Sequence, residues 1–150
     1  TPNHNSTVPG HFRVQESTSA SAAGLGGTTV TATITVNIAL HQASVTNATT
    51  KVNTQSQSGL VISANPLDTA FVRYFQITGI TGGTLYLNDG VTQITNGQFI
   101  TLAQGAAGLK FTPARNSPLG GSFSIQEATI ASASGLGGTK AVARIVVLKQ

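Results

Sequence analysis

Cysteine and tryptophan are absent from the 150 residues, and only four acids are present: Glu16, Asp68, Asp89 and Glu127. Without cysteine there is no disulfide framework, no thiolate zinc site and no thiol nucleophile. Charged residues make up 8% of the chain, against about 25% in an average soluble domain. With so few ionised pairs to lose, stability is expected to vary little with pH. No apolar run approaches the roughly 20 residues of a membrane span. No stretch repeats its apolar residues every 3.6 positions, so helix is expected to be scarce.

Clustered positive charge is missing too. The net charge is +4 and the isoelectric point is near 10.0. Yet Arg13, Lys51, Arg73, Lys110, Arg115, Lys140, Arg144 and Lys149 are scattered, with no two adjacent. A phosphate-binding surface draws on grouped Lys and Arg with interleaved aromatics, so nucleic acid is not expected as a partner. Diffuse charge of this kind acts on anionic glycans or surfaces through long-range, salt-screened attraction. No Gly-x-Ser-x-Gly elbow is present for a serine nucleophile. His4, His11 and His41 lack metal-ligand spacing on any strand face. Neither an enzyme nor a cofactor or metal site is expected.

What the chain has in quantity is small polar residues: 22 Thr, 13 Ser and 17 Gly. It also repeats itself. Residues 1–39 laid over 112–150 agree at 20 of 39 positions without a gap, an offset of 111. Phe12-Arg13-Val14-Gln15-Glu16 falls on Phe123-Ser124-Ile125-Gln126-Glu127, and Gly24-Leu25-Gly26-Gly27-Thr28 on Gly135-Leu136-Gly137-Gly138-Thr139. Residues 1–38 therefore read as the closing strands of one repeat, and 39–150 as a complete one. Glu16 and Glu127 are then one structural position in two copies, not a catalytic pair. The Gly-Leu-Gly-Gly segments lack the Gly-Lys-Ser/Thr ending of a phosphate loop and read as turns.

Thr29 to Val36 alternates strictly, with Val30, Ala32, Ile34 and Val36 on one face and threonines on the other. Only a strand has that period. Its copy, Lys140 to Val147, keeps Ala141, Ala143, Ile145 and Val147 inward but turns Val142, Arg144 and Val146 outward. Phe12 to Glu16 and Ser122 to Glu127 form the preceding strands, so each copy ends in a hairpin. Further strands are expected near 42–46, 58–63, 70–78, 84–87, 98–103 and 108–112. The expected core is Val45, Leu60, Ile62, Phe75, Ile77, Ile80, Leu85, Phe99, Leu109, Phe111, Phe123, Ile125, Leu136, Ala143, Ile145 and Val147. Short strands parted by turns such as Asn65-Pro66 and Asn88-Asp89-Gly90 describe an all-β sandwich of two antiparallel sheets.

The first hairpin lacks the other strands of its own sandwich, and exposed apolar strands recruit partners. Phe12, Val14, Val30, Ala32, Ile34 and Val36, with Val142 and Val146 on the outer face of the second hairpin, are accordingly the expected interface residues. The expected partner is a neighbouring copy of the repeat, joined covalently or by strand complementation. Phe71, Tyr74 and Tyr86 could stack on a sugar ring but read better as sheet-packing anchors.

The stretch from Phe75 to Gly90, with Gly79-Ile80-Thr81-Gly82-Gly83 and Asn88-Asp89-Gly90, resembles the cadherin-like, chondroitin-sulfate-proteoglycan-type repeats of very large bacterial surface proteins. So do Ile94 to Ile100 and Gly108 to Pro113. The resemblance covers residues 43–147 and the partial copy. It implies an immunoglobulin-like β-sandwich, extracellular display, and service as a spacer or adhesive module. Related repeats carry acidic calcium ligands after the first strand. Here Thr50-Lys51-Val52-Asn53-Thr54 stands in that place, a poor match for a cation that takes six to eight oxygens.

Overall fold

A computed structural model describes residues 9–35 and 38–149. Two compact units divide the chain, Thr1–Ile38 and Ala39–Gln150. In the first, β1 (Gly10–Ser17) and β2 (Leu25–Ile34) form an antiparallel hairpin, joined through a short 3-10 turn at Ala22–Gly24.

The second unit is built from β3 (Ser44–Val45), β4 (Ala48–Lys51), β5 (Ile62–Ser63), β6 (Tyr74–Thr81), β7 (Gly83–Tyr86), β8 (Gln93–Ile94), β9 (Phe99–Thr101), β10 (Lys110–Pro113), β11 (Gly121–Ala128) and β12 (Leu136–Leu148). Five of them form one sheet, in the order β4-β12-β11-β6-β9. Three form another, β10-β7-β8, and β3 pairs with β5. The chain is an all-β sandwich. One pairing departs from the expected antiparallel pattern: β4 runs parallel to β12, Ala48 facing Ile145 and Lys51 facing Leu148. Parallel neighbours need a long connection, and here almost the whole unit intervenes between the two strands.

The core lies between the five- and three-stranded sheets. Phe75, Ile77, Phe123 and Ile125 from the first are sealed with Leu85 and Phe111 from the second, each at 0% exposure. The Phe111 ring lies so close to the backbone of Gly83 and Gly121 that a Cβ at either would strike it. Twelve of the sixteen expected core residues are buried, while Val45, Ile80, Phe99 and Leu136 are half-buried. The Phe99 difference is one of register. Ile100 faces Phe75 across β6 and β9, so the pleat turns Ile100 inward and Phe99 partly outward.

Boundaries also shift: the strand expected at 58–63 is reduced to Ile62–Ser63, since Gly59 and Leu60 before it have positive φ, and β8 stands where no strand was expected. The strand expected at 70–78 begins only at Tyr74, because the chain is first wound into turns on Asp68, whose carbonyl accepts from the amides of Phe71 and Val72. The strand expected at 98–103 stops at Thr101 and becomes α1 (Leu102–Ala106). Thr101 caps it: its hydroxyl accepts from the Gln104 amide at 3.2 Å, and the Gln104 side chain accepts from the Thr101 amide at 2.8 Å. That reciprocal box is a Thr-x-x-Gln signature, too short to show as a 3.6-residue period. The Asn88-Asp89-Gly90 turn forms as read. The Thr92 hydroxyl donates to Asp89 Oδ2, and Oδ1 accepts from the amides of Thr92 and Val91, both at 2.9 Å, which together hold the carboxyl below the usual range. Among the described residues, no helix is long and apolar enough to cross a membrane.

Candidate interaction surface

The repeat in the sequence is a repeat in register. In β1–β2, Gly10 faces Ile34, Phe12 faces Ala32, Val14 faces Val30 and Glu16 faces Gly26. In β11–β12, Gly121 faces Ile145, Phe123 faces Ala143, Ile125 faces Ala141 and Glu127 faces Gly137. Every pair is displaced by 111. Both hairpins slip register at the same place, between Val14 and Glu16 and between Ile125 and Glu127. The same bonds close both tips. The amide of Thr18 donates to the Gly24 carbonyl and that of Thr129 to Gly135, each at 2.9 Å. The Gln15 side chain donates to Gly27 and the Gln126 side chain to Gly138.

Burial separates the copies. Phe123, Ile125 and Glu127 are fully enclosed, whereas Phe12 is 51% exposed, Val14 54%, Val30 65% and Ile34 52%. Ala32 is half-buried, and Val36 lies outside the described residues. On the outer face of β12, Val142 and Val146 are about half exposed, at 50% and 53%. The expected interface residues thus form two separate groups: one apolar face on β1–β2 and an outward pair on β12.

The tip of the second hairpin holds a cluster that the sequence reading missed. Glu127 Oε1 accepts from the amide of Asn65 at 2.6 Å, and Oε2 has no hydrogen-bond partner among the described residues. Beside it, the buried Asp68 accepts from the His41 amide through Oδ2 at 2.5 Å and meets His41 Nδ1 through Oδ1 at 2.9 Å. Burial pushes the Glu127 carboxyl up to about 7, the Asn65 amide opposes this, and the nearby Asp68 carboxylate adds to it. Burial acts on Asp68 in the same direction, but the His41 ring and amide outweigh it and hold Asp68 below the usual range. The expectation of pH-indifferent stability is therefore corrected: few acids are present, but two of them are buried together. The signal was the Glu kept in both copies on the inward face of a strand whose other inward positions, Phe and Ile or Val, are apolar.

Glycine lets the chain close over this cluster. A Cβ on Gly137 would press on the Leu40 side chain at 2.9–3.1 Å, and one on Gly138, whose φ is +69°, would collide with the His41 carbonyl. Leu40 is buried, and the Gln42 side chain donates to the Lys140 carbonyl at 2.8 Å, extending the seal. The counterparts in the first unit, Glu16, Ser17, Thr18, Gly24, Gly26 and Gly27, line an open concavity. All of them are exposed except Gly24, which is half-buried.

These groups offer backbone edges, an apolar face and a carboxylate, which suit protein contact. Among the described residues, no three His, Asp or Glu side chains come together as metal ligands would. Phe71, Tyr74 and Tyr86 are all half-buried, Tyr74 and Tyr86 on β6 and β7 and Phe71 in the turn before β6. Compared with known proteins, the chain matches no family model and no curated protein.

Proposed function

We propose that this chain is a structural repeat module of an extracellular bacterial surface stalk, fibre or adhesin, with an immunoglobulin-like, cadherin-like sandwich as its bead. The observation that carries the reading is the duplicated hairpin: one register, one slip and one set of tip hydrogen bonds, written twice at a spacing of 111 residues. A repeat that preserves backbone pairing in this detail is a copied structural unit, and stacked copies build long, quasi-one-dimensional particles. The low charge, the scarcity of polar groups grouped for chemistry, and the resemblance of residues 75–113 to the surface-protein repeats support a mechanical role.

Assembly by strand complementation is the competing mode. The place that β1–β2 would take in an identical neighbour is filled in that neighbour by its own β11–β12, which favours covalent tandem linkage over exchange between chains. Proteolytic shaving of intact cells tests the reading. Tryptic peptides such as Asn116–Lys140 should be released from the surface, and should map to a polypeptide many times 15.2 kDa. A native species near 15.2 kDa would favour a filament subunit. Recovery only from the cytosol would overturn both.

A further inference from the structure

We infer that the exposed face, both edges and the glycine-lined tip of β1–β2 form a docking surface for one occupant: a half-sandwich with the chemistry of residues 40–111. Three observations specify it. The first is the registered twin. What covers β11–β12 is visible: β6 lies antiparallel on one edge, Ile77 facing Ile125, and β4 lies parallel on the other, Ala48 facing Ile145. The occupant of β1–β2 then places an antiparallel strand on β1 beside Val14 and a parallel strand on β2 beside Ile34.

The second observation is size. The enclosed pair Ile125 and Ala141 becomes Val14 and Val30 in the first hairpin, directly opposite each other in both. One side loses a carbon and the other gains two, so the pair changes volume by a single carbon. Cores accept volume-conserving exchanges and resist others, and two solvated positions would be under no such restraint. Phe, Ala and Ile at 12, 32 and 34 match 123, 143 and 145 outright.

The third is the tip. Gly26 and Gly27 stand where Gly137 receives the Leu40 side chain and Gly138 the His41 carbonyl, yet a Cβ on Gly26 would meet nothing within 4 Å, and one on Gly27 only Glu16. Glu16 stands where Glu127 accepts the Asn65 amide. The occupant therefore brings an apolar residue and carbonyl like those of Leu40-His41 against the glycines, and a backbone amide to the Glu16 carboxylate.

This rests on the repeat reading but not on surface location, and it is tested on the whole chain. A copy of residues 39–111 is fused ahead of Thr1, preserving the spacing of the 111–112 junction, and amide hydrogen exchange is followed in β1 and β2. Protection at Phe12, Val14 and Ile34 should rise by at least about 100-fold over the 150-residue chain, and Phe12→Asp should abolish the rise. Unchanged exchange overturns the inference. So does a concentration-dependent dimer of the 150-residue chain that already protects these amides, which would assign the face to a second copy.

A double-mutant cycle decides the matter if the fusion precipitates. Ile125→Val and Ala141→Val should each weaken folding, and the double variant should unfold at least about fivefold less than the two effects multiplied together. Strictly additive losses overturn the size argument and with it the docking surface. Failure here alongside a giant, surface-shaved native chain would sink this inference alone.

Discussion

Phe12 and Phe123 hold the same place in two hairpins of identical pairing, one half in solvent and the other sealed. The pair separates what local sequence does from what packing does. Alternation, β-branched residues and a glycine-rich tip are enough to set strand, register and slip in both copies. Burial needs the β4 and β6 edges and the opposing sheet, which only the second hairpin has within the described residues. The greatest contrast should come from truncating the two rings. Phe123→Ala should cost about 3–5 kcal/mol, and Phe12→Ala no more than about 0.5 kcal/mol. Urea midpoints at unchanged slope measure both. Equal losses would show that the first hairpin is covered in solution.

The glycines sharpen the same contrast. Gly27 and Gly138 both have φ near +70°, at +74° and +69°, and alanine in that region costs roughly 1–2 kcal/mol wherever it sits. Gly138→Ala must also displace the His41 carbonyl, so it should lower stability by clearly more than about 2 kcal/mol. Gly27→Ala should show only the backbone part. Comparable losses would mean that residues 40–41 do not close on the tip.

How much was legible follows from the range of each signal. The repeat, the hairpins, their inward faces and the Asp89 turn are written in neighbouring residues and could be read directly. The β4–β12 pairing could not, since Ala48 and Ile145 lie 97 positions apart and nothing local marks Ala48-Thr49-Thr50-Lys51 as a strand. The choice of Ile100 over Phe99 depended on where β9 meets β6, a tertiary fact. The buried carboxyl cluster gathers His41, Asn65, Asp68 and Glu127 from four separate segments. No spacing rule connects them. The exposed apolar residues on β1–β2 could be read because an alternating strand exposes its apolar face until something covers it.

The Glu127 cluster gives the contrast a pH axis. The folded carboxyl titrates at about 7, above its unfolded value, so the folded state binds the proton more tightly. Its contribution is full below the unfolded value, is lost as pH rises through about 7, and levels off above that. Asp68, held low, acts in the opposite sense: its contribution is present above the unfolded carboxylate value and is lost as pH falls through the folded one. Stability should therefore peak in mild acid and fall on both sides. Glu127→Gln keeps the acceptor for the Asn65 amide and removes the titration, so the decline from mild acid to about pH 7 should flatten while the acid limb persists. A decline that is unchanged in Glu127→Gln would place its origin elsewhere. Glu16→Gln, at the exposed counterpart, should move the melting curve by no more than a surface substitution does, about 0.5 kcal/mol.

The smallest effect belongs to the outward face of β12. There the two hairpins differ in chemistry as well as surroundings, since Thr31, Thr33 and Thr35 of the first stand where the second has Val142, Arg144 and Val146. Val142→Thr with Val146→Thr writes the first outer face onto the second. Valine and threonine share a branched Cβ and similar strand preference, and both valines are already about half solvated. In the isolated chain the change should cost less than about 0.5 kcal/mol per site. A larger loss, together with a drop in sedimenting mass, would show that this face is already buried against a second molecule. A stability unchanged within that margin leaves the outer valines, which replace the threonines of the first hairpin, unused by the fold of the single chain and free to meet a neighbour.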